Sequence, residues 1–291
     1  MVPKFRLTGW LVSLIWLLCL TPVRAAPVVE VIGPTAGESQ ELVKLLQDAL
    51  KEDVQVQAAE TLLPQADLLV ALSEDIYRRL PEKHPPVILL SPGLVTQDIP
   101  RPDSAVYWAP SLSAQLALIR FLLPATNRVG MLVNTPDDPV WKAFRQYAAQ
   151  QSVEIRILPA DRQRLARQVA ELAAGCDVLL AQPDADIYNR DNIRLLLLSA
   201  YRQNRVFVGP SPAFVRAGAL GTLYAPTPVI AEAIIQRIRS FTKNGKLPPS
   251  SRIRDLSVSL NPQVSRALGL SVPAINELER LLHFEELPTW P

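Results

Sequence analysis

Short apolar runs and amphipathic stretches take turns along the chain from Val28 onward, and the alternation predicts strands and helices in succession. Val28–Ile32 is β-branched and stops at Gly33-Pro34-Thr35. Over residues 38–51, Leu42, Leu45, Leu46, Ala49 and Leu50 recur at the spacing of one helix face, so this helix lies against a sheet. Residues 54–58 and 67–72 read as strands, and the second is apolar almost throughout, as a strand covered on both faces is. Ser73 ends it and can cap a short helix over 74–80. Residues 86–90 form the next strand, closing at Ser91-Pro92-Gly93, and 105–109 the fifth. Ser111 then caps a helix that Pro124 halts near Leu123.

At Arg128 the succession begins afresh. Residues 129–133 form a strand ending at Asn134-Thr135-Pro136-Asp137. Asp138-Pro139 opens a helix reaching Gln151, because proline suits the first helical position and the aspartate accepts from orphan amides. A strand over 153–158 precedes an amphipathic helix over 161–174, with Leu165, Val169 and Leu172 inward and Arg162, Arg164 and Arg167 on a solvated face. An apolar strand then ends at Gln182-Pro183-Asp184, a helix carries the run from Leu195 to Leu198, and a strand ends at Gly209-Pro210-Ser211. Another strand, 219–224, follows Arg216-Ala217-Gly218. Residues 229–241 form a helix that Lys243-Asn244-Gly245 terminates, 253–260 alternates as one strand, Asn261 caps a turn through Leu268, and 273–286 is a helical tail.

Two such series predict an α/β protein of two doubly wound, parallel-sheet, Rossmann-like lobes with a hinge. The expected boundaries are 26–110 for the N-terminal lobe, 111–226 for the C-terminal lobe, and 227–291 for segments that cross back and join them. Open parallel sheets place ligands beyond the carboxyl ends of their strands. Function is therefore sought at those ends.

Composition sharpens this picture in two places. The 291 residues suffice for two separate cores, and 48% hydrophobic with 20% charged residues is the balance of a soluble globular protein. Residues 1–25 stand apart: Lys4 and Arg6 precede an apolar run from Trp10 to Leu20, and Val23 and Ala25 are small residues at cleavage-site spacing. That is the layout of a secretory signal peptide, which places the mature protein in the periplasm. A retained anchor is the alternative, but the run falls short of the roughly 20 residues a span needs. Leu18 before Cys19 suits a lipid-attachment signal poorly.

The 30 basic and 28 acidic residues give a charge of +2. The first 25 residues hold Lys4, Arg6 and Arg24 and no acid, so the remainder carries 27 basic against 28 acidic residues, or −1. A near-neutral chain has no electrostatic reason to bind nucleic acid. Cleavage would leave Cys176 as a single thiol between Gly175 and Asp177, read as buried and inert.

Catalytic and cofactor chemistry finds no foothold. His84 and His283 are the two histidines, and no Cys/His or His/carboxylate spacing suits a metal. No glycine-rich phosphate loop is present, which argues against a nucleotide. Ser240-Phe241-Thr242-Lys243 has a serine and lysine spacing used by acyl-transfer enzymes, but it falls at a helix end without partner motifs. Asp184 and Asp186 resemble a carboxylate pair, yet no second group across a bond is evident. The expectation is a protein that is no enzyme and takes no cofactor.

What remains is a set of small, hydrogen-bonding residues at strand ends: Thr35, Ser73, Ser91, Asn134, Asp137, Gln182, Asp184 and Ser211. Several open a helix, whose amides can meet an anionic group, while Asp137 or Asp184 can answer an ammonium. Each can equally serve only as a helix cap. The stretches NRVGMLVNTPDDP, YRQNRVFVGPSPAFVRAGALGTLYAP and LSVSLNPQVSRALGLSVP resemble the solute-binding proteins of ABC transporters with the type I periplasmic fold, in the branch that includes aromatic amino acid binders. The likeness is best over residues 127–270, while the first lobe matches in layout only. The resemblance implies binding roles for Asn134, Asp137, Asp184, Ser211 and Tyr224. It also implies an amino-acid-like ligand, a membrane permease as partner, and a monomer. Ser91-Pro92-Gly93 departs from the pattern, and an exported accessory or sensing protein, acting on a sensor or outer-membrane receptor, is the alternative.

Overall fold

A computed structural model describes residues 26–33, 37–59, 66–93 and 101–270. The expected signal peptide, Thr35, His283 and the tail at 273–286 lie outside these residues. The first series comprises β1 (Val28–Ile32), α1 (Glu38–Leu50), β2 (Gln55–Ala59), β3 (Leu68–Ala71), α2 (Glu74–Arg78), β4 (Val87–Ser91) and β5 (Ser104–Tyr107). The second comprises α3 (Leu112–Leu122), β6 (Arg128–Val133), α4 (Pro139–Gln150), β7 (Glu154–Pro159), α5 (Leu165–Gly175), β8 (Val178–Leu180), α6 (Ile193–Tyr201), β9 (Phe207–Val208), α7 (Pro212–Ala217) and β10 (Gly221–Tyr224). The chain continues through α8 (Thr227–Asn244), β11 (Ser251–Arg252), β12 (Ser257–Leu260) and α9 (Pro262–Ala267).

Among the described residues there are two sheets of six strands, in the orders β11-β5-β4-β3-β1-β2 and β12-β10-β9-β8-β6-β7. Every pairing is parallel except β10 with β12, which run antiparallel. The orders of β1–β5 and β6–β10 correspond strand for strand, so the restart read at Arg128 is a structural repeat of one plan.

Each sheet is covered on both faces, which explains its apolar strands. On the first, Leu42, Leu46 and Leu50 of α1 and Ile234, Ile235 and Ile238 of α8 pack over Val29, Val31, Leu68 and Val70. On the second, period two divides β6: Val129, Met131 and Val133 face Trp141 and Phe144 of α4 and Leu116 of α3. Leu132 points the other way, into Val169, Leu172, Leu196 and Phe214 of α5, α6 and α7.

These cores place the late segments. Helix α3 joins the second lobe and α8 the first, while β11 extends the first sheet and β12 the second. The chain therefore crosses between lobes three times, near residues 108–111, 225–226 and 253–256. Trp108, in the first crossing, packs against both cores. The single strand expected over 253–260 is corrected by this geometry: only Ser257–Leu260 is strand, in the second sheet, while Ile253, just past β11, packs into the core of the first lobe. Two smaller differences are local. Helix α5 starts at Leu165 because Asp161 makes a turn, accepting from Gln163 N at 3.0 Å. Helix α7 was too short to show a period.

Candidate functional site

The loops after β3, β4, β6 and β8 meet at one cavity of about 160 Å³, walled by Glu74 and Pro92 of the first lobe and by Leu132, Val133, Asn134, Thr135, Trp141, Gln182, Pro183 and Asp184 of the second. It lies at the carboxyl ends of strands from both sheets, where this architecture puts ligands.

On the second-lobe side, β6 and β8 are neighbours, which brings their loops together. Asn134 Nδ2 donates to Asp184 Oδ2 at 2.8 Å, and the other carboxylate oxygen accepts from Asp186 N at 2.9 Å and Ile187 N at 3.3 Å. Burial, aided by the nearby Asp186 carboxylate, raises the Asp184 pKa despite these donors. The sequence suggested Asp184 and Asp186 as a pair, but the Asp186 side chain turns to Arg162, 2.6 Å away. Gln182 is only 4% exposed. Its amide exchanges two hydrogen bonds with Gln115 of α3, at 3.0 and 3.3 Å, and Gln115 also donates to Pro110 O at 2.9 Å. Gln182 thus braces the cavity floor against the first crossing.

Trp141 sits in the first turn of α4, 2% exposed, with Nε1 donating to Thr135 O at 2.7 Å. That bond fixes the indole as one wall. On the first-lobe side, Ser91, 1% exposed, donates its hydroxyl to Glu74 Oε1 and accepts from Gly93 N at 2.8 Å. A hydroxyl with both roles engaged orients a carboxylate rather than a ligand. Gly93 has φ +62°, and a Cβ there would lie 2.4 Å from the Tyr107 ring, so only glycine lets this loop fold over β5.

Arg252 anchors the same loop. It donates to Pro92 O at 3.2 Å, to Gly93 O, and to Ala109 O at 2.6 Å, with its guanidinium 5.6 Å from the Tyr107 ring centroid. Burial lowers its pKa. One side chain thereby ties the cavity rim to the first and third crossings.

Of the residues expected from sequence, Asn134, Gln182 and Asp184 line the cavity, and Ser91 stands behind Glu74. Ser73 and Ser211 cap α2 and α7, accepting from Ile76 N and Phe214 N, each at 3.3 Å. Asp137 is exposed and Tyr224 half-buried opposite Ser257; neither is among the cavity-lining residues. Glu74 and Trp141 were missed, because both fall just inside helices where capping and packing account for them.

Superposition on solved structures identifies the architecture. An ABC domain in complex with L-Trp from Streptococcus pneumonia shares 17% identity at a TM-score of 0.67, covering 87% of this chain and 98% of that one. The fold is that of the type I periplasmic binding proteins. A conserved domain protein from Vibrio cholerae O1 biovar El Tor is alike at 15% identity and a TM-score of 0.66, over 88% of this chain and 98% of that one. So is the ligand-free, open form of a substrate binding protein with adhesive properties from Clostridium difficile, at 15% and 0.62, over 86% and 96%. No protein-family model and no curated protein matches the sequence. The cavity described above lies between the two lobes of this fold, and small-molecule pockets in general favour junctions between domains. Among the described residues no group of three or more His, Cys, Asp or Glu could hold a metal, and no helix is long and apolar enough to cross a membrane.

Proposed function

We propose that this protein is an exported solute receptor that closes its two lobes on a small polar molecule and hands it to an ABC-type permease. One observation carries the reading: a single cavity takes its walls from strand ends of both lobes, with Glu74 and Pro92 facing Asn134, Trp141 and Asp184. A molecule that satisfies both walls stabilises the closed form, and one that satisfies a single wall does not. Within the cavity Glu74 accepts from the Ser91 hydroxyl and Asp184 from Asn134 and backbone amides, which hold both carboxylates in place to meet a guest. Delivery to a permease and placement in the periplasm belong to this proposal, and so does the division at residues 110 and 226 into two closing units.

The test is a thermal-shift screen of the mature chain against amino acids, amines, sugars and small organic acids, followed by small-angle scattering. A receptor gains stability with one ligand class, by about 2.7 kcal/mol at a hundredfold excess over Kd, and shrinks in radius of gyration. A chain that responds to none of them is not a receptor of this kind.

A further inference from the structure

Which ligand class the cavity takes follows from its charges, provided the receptor reading holds. We infer that the guest is a small organic amine, cationic and without a carboxylate of its own, held between Glu74 and Asp184 with its apolar body against Trp141.

Among the described residues the cavity is lined by two carboxylates, one from each lobe, and by no lysine, arginine or histidine. Neither carboxylate takes part in an ion pair among the described residues. Both are instead held by neutral donors: Glu74 by the Ser91 hydroxyl, Asp184 by Asn134 and two backbone amides. Those donors fix the direction of each carboxylate without cancelling its charge. Closing the lobes takes the two like charges into a drier space, which costs free energy unless a cation enters with them. An ammonium is the complement, and its donors suit acceptors arriving from two sides.

At the helix amino ends, where an anion would be received, each cap already takes one amide. Sequence suggested that helix amino ends at the strand tips could meet a carboxylate. In the folded chain Ser73 accepts from Ile76 N, Asp138 from Val140 N and Ser211 from Phe214 N. Asp138 also puts a third carboxylate beside the α4 amino end. A zwitterionic amino acid would bring its own carboxylate to a cavity whose lining carboxylates have no cationic partner among the described residues, and a sugar would offer hydroxyl donors without cancelling either charge. Of the other lining residues Asn134, Thr135 and Gln182 are polar and neutral, while Leu132, Val133, Pro92, Pro183 and the fixed indole of Trp141 supply an apolar surface. At about 160 Å³ the space matches a single ring, since an apolar cavity of about 150 Å³ holds benzene.

A matched series separates the possibilities: benzylamine, benzyl alcohol, benzoate and phenylalanine, with putrescine as an aliphatic amine and calcium as an inorganic cation. Thermal shift and titration calorimetry are run on the mature wild type and on Glu74→Gln and Asp184→Asn, with circular dichroism to show that both variants fold. Benzylamine or putrescine should raise the Tm, the alcohol and benzoate should not, and each variant should bind the amine at least about tenfold more weakly. Preference for benzoate, phenylalanine or calcium, or amine binding unchanged in both variants, overturns the amine assignment and leaves the receptor reading standing. If a broader screen finds a sugar or another neutral ligand, the same holds. If no small molecule of any charge shifts the Tm, the receptor reading itself falls and the amine assignment falls with it.

Discussion

Asp184 shows how a half-buried charge becomes measurable without any ligand. Burial raises its pKa above the ordinary 3.8, so the folded chain holds the proton more tightly than the unfolded chain does. The stabilisation this gives is complete below about pH 3.8 and is lost as pH rises through the folded value. Asp184→Asn keeps an acceptor for Asp186 N and has no charge to bury. Its stability relative to wild type should therefore rise with pH across that window and level off near neutrality. Urea unfolding of both proteins between about pH 3 and pH 7 measures the difference, and a flat difference curve would mean the carboxylate is not desolvated. An amine entering the cavity should pull the Asp184 pKa back down, so within that pH window binding should release protons, seen as buffer-dependent heat in calorimetry that fades toward neutrality. Asn134 and Asp184 could be picked from sequence because each ends an apolar run whose strand must stop there. Glu74 could not. Its importance depends on a wall supplied by the other lobe and on Ser91, 17 residues away.

Among elements, the late pieces are where local pattern and folded position part company. Arg237 on α8 is 6% exposed and reaches Ser104 Oγ at 3.1 Å, Ser251 Oγ at 2.6 Å, Ala105 O at 3.2 Å and Ala233 O at 2.8 Å. It fastens β11 and β5 to the helix covering them. Arg237→Met retains the apolar stem and strips these four acceptors of their donor, so a loss of about 2–4 kcal/mol is expected. Chemical denaturation gives the size, and faster hydrogen exchange at Ile253 N, which bonds Tyr107 O, would place the damage at β11. Unchanged stability would show that the guanidinium is not what holds this edge. Strands such as β3, β4 and β6 were readable as apolar runs with turn residues after them, and the edge strands β2 and β7, QVQAA and EIRILP, by their alternation of polar and apolar residues. The stretch from Ser251 to Leu260 was not, because Ile253, Leu256, Val258 and Leu260 serve two different cores and their spacing merges them into one apparent strand. Caps read best of all: Ser111, Asp138 and Asn261 each accept the helix amides their types predict.

For the molecule as a whole, the two-lobed plan followed from a pattern that runs twice, while the places of the three crossings did not, since crossing a gap leaves no periodic trace. Trp108 lies where it can report on movement at the first crossing, packed on the cores of both lobes. Ligand-driven closure should change its fluorescence, and Trp108→Phe should remove that part of the signal while Trp141→Phe removes the part arising in the cavity. A ligand-induced signal identical in both variants would mean that neither region moves. The same crossings have a consequence for how the chain is made. The sheet begun by residues 28–107 waits for α8 and β11, which emerge from the ribosome more than a hundred residues later. Until then the apolar flank of Val29, Val31, Leu68 and Val70 lacks half its cover, so the nascent first lobe should stay unfinished and pliable until the second has been synthesised and the chain has come back to it.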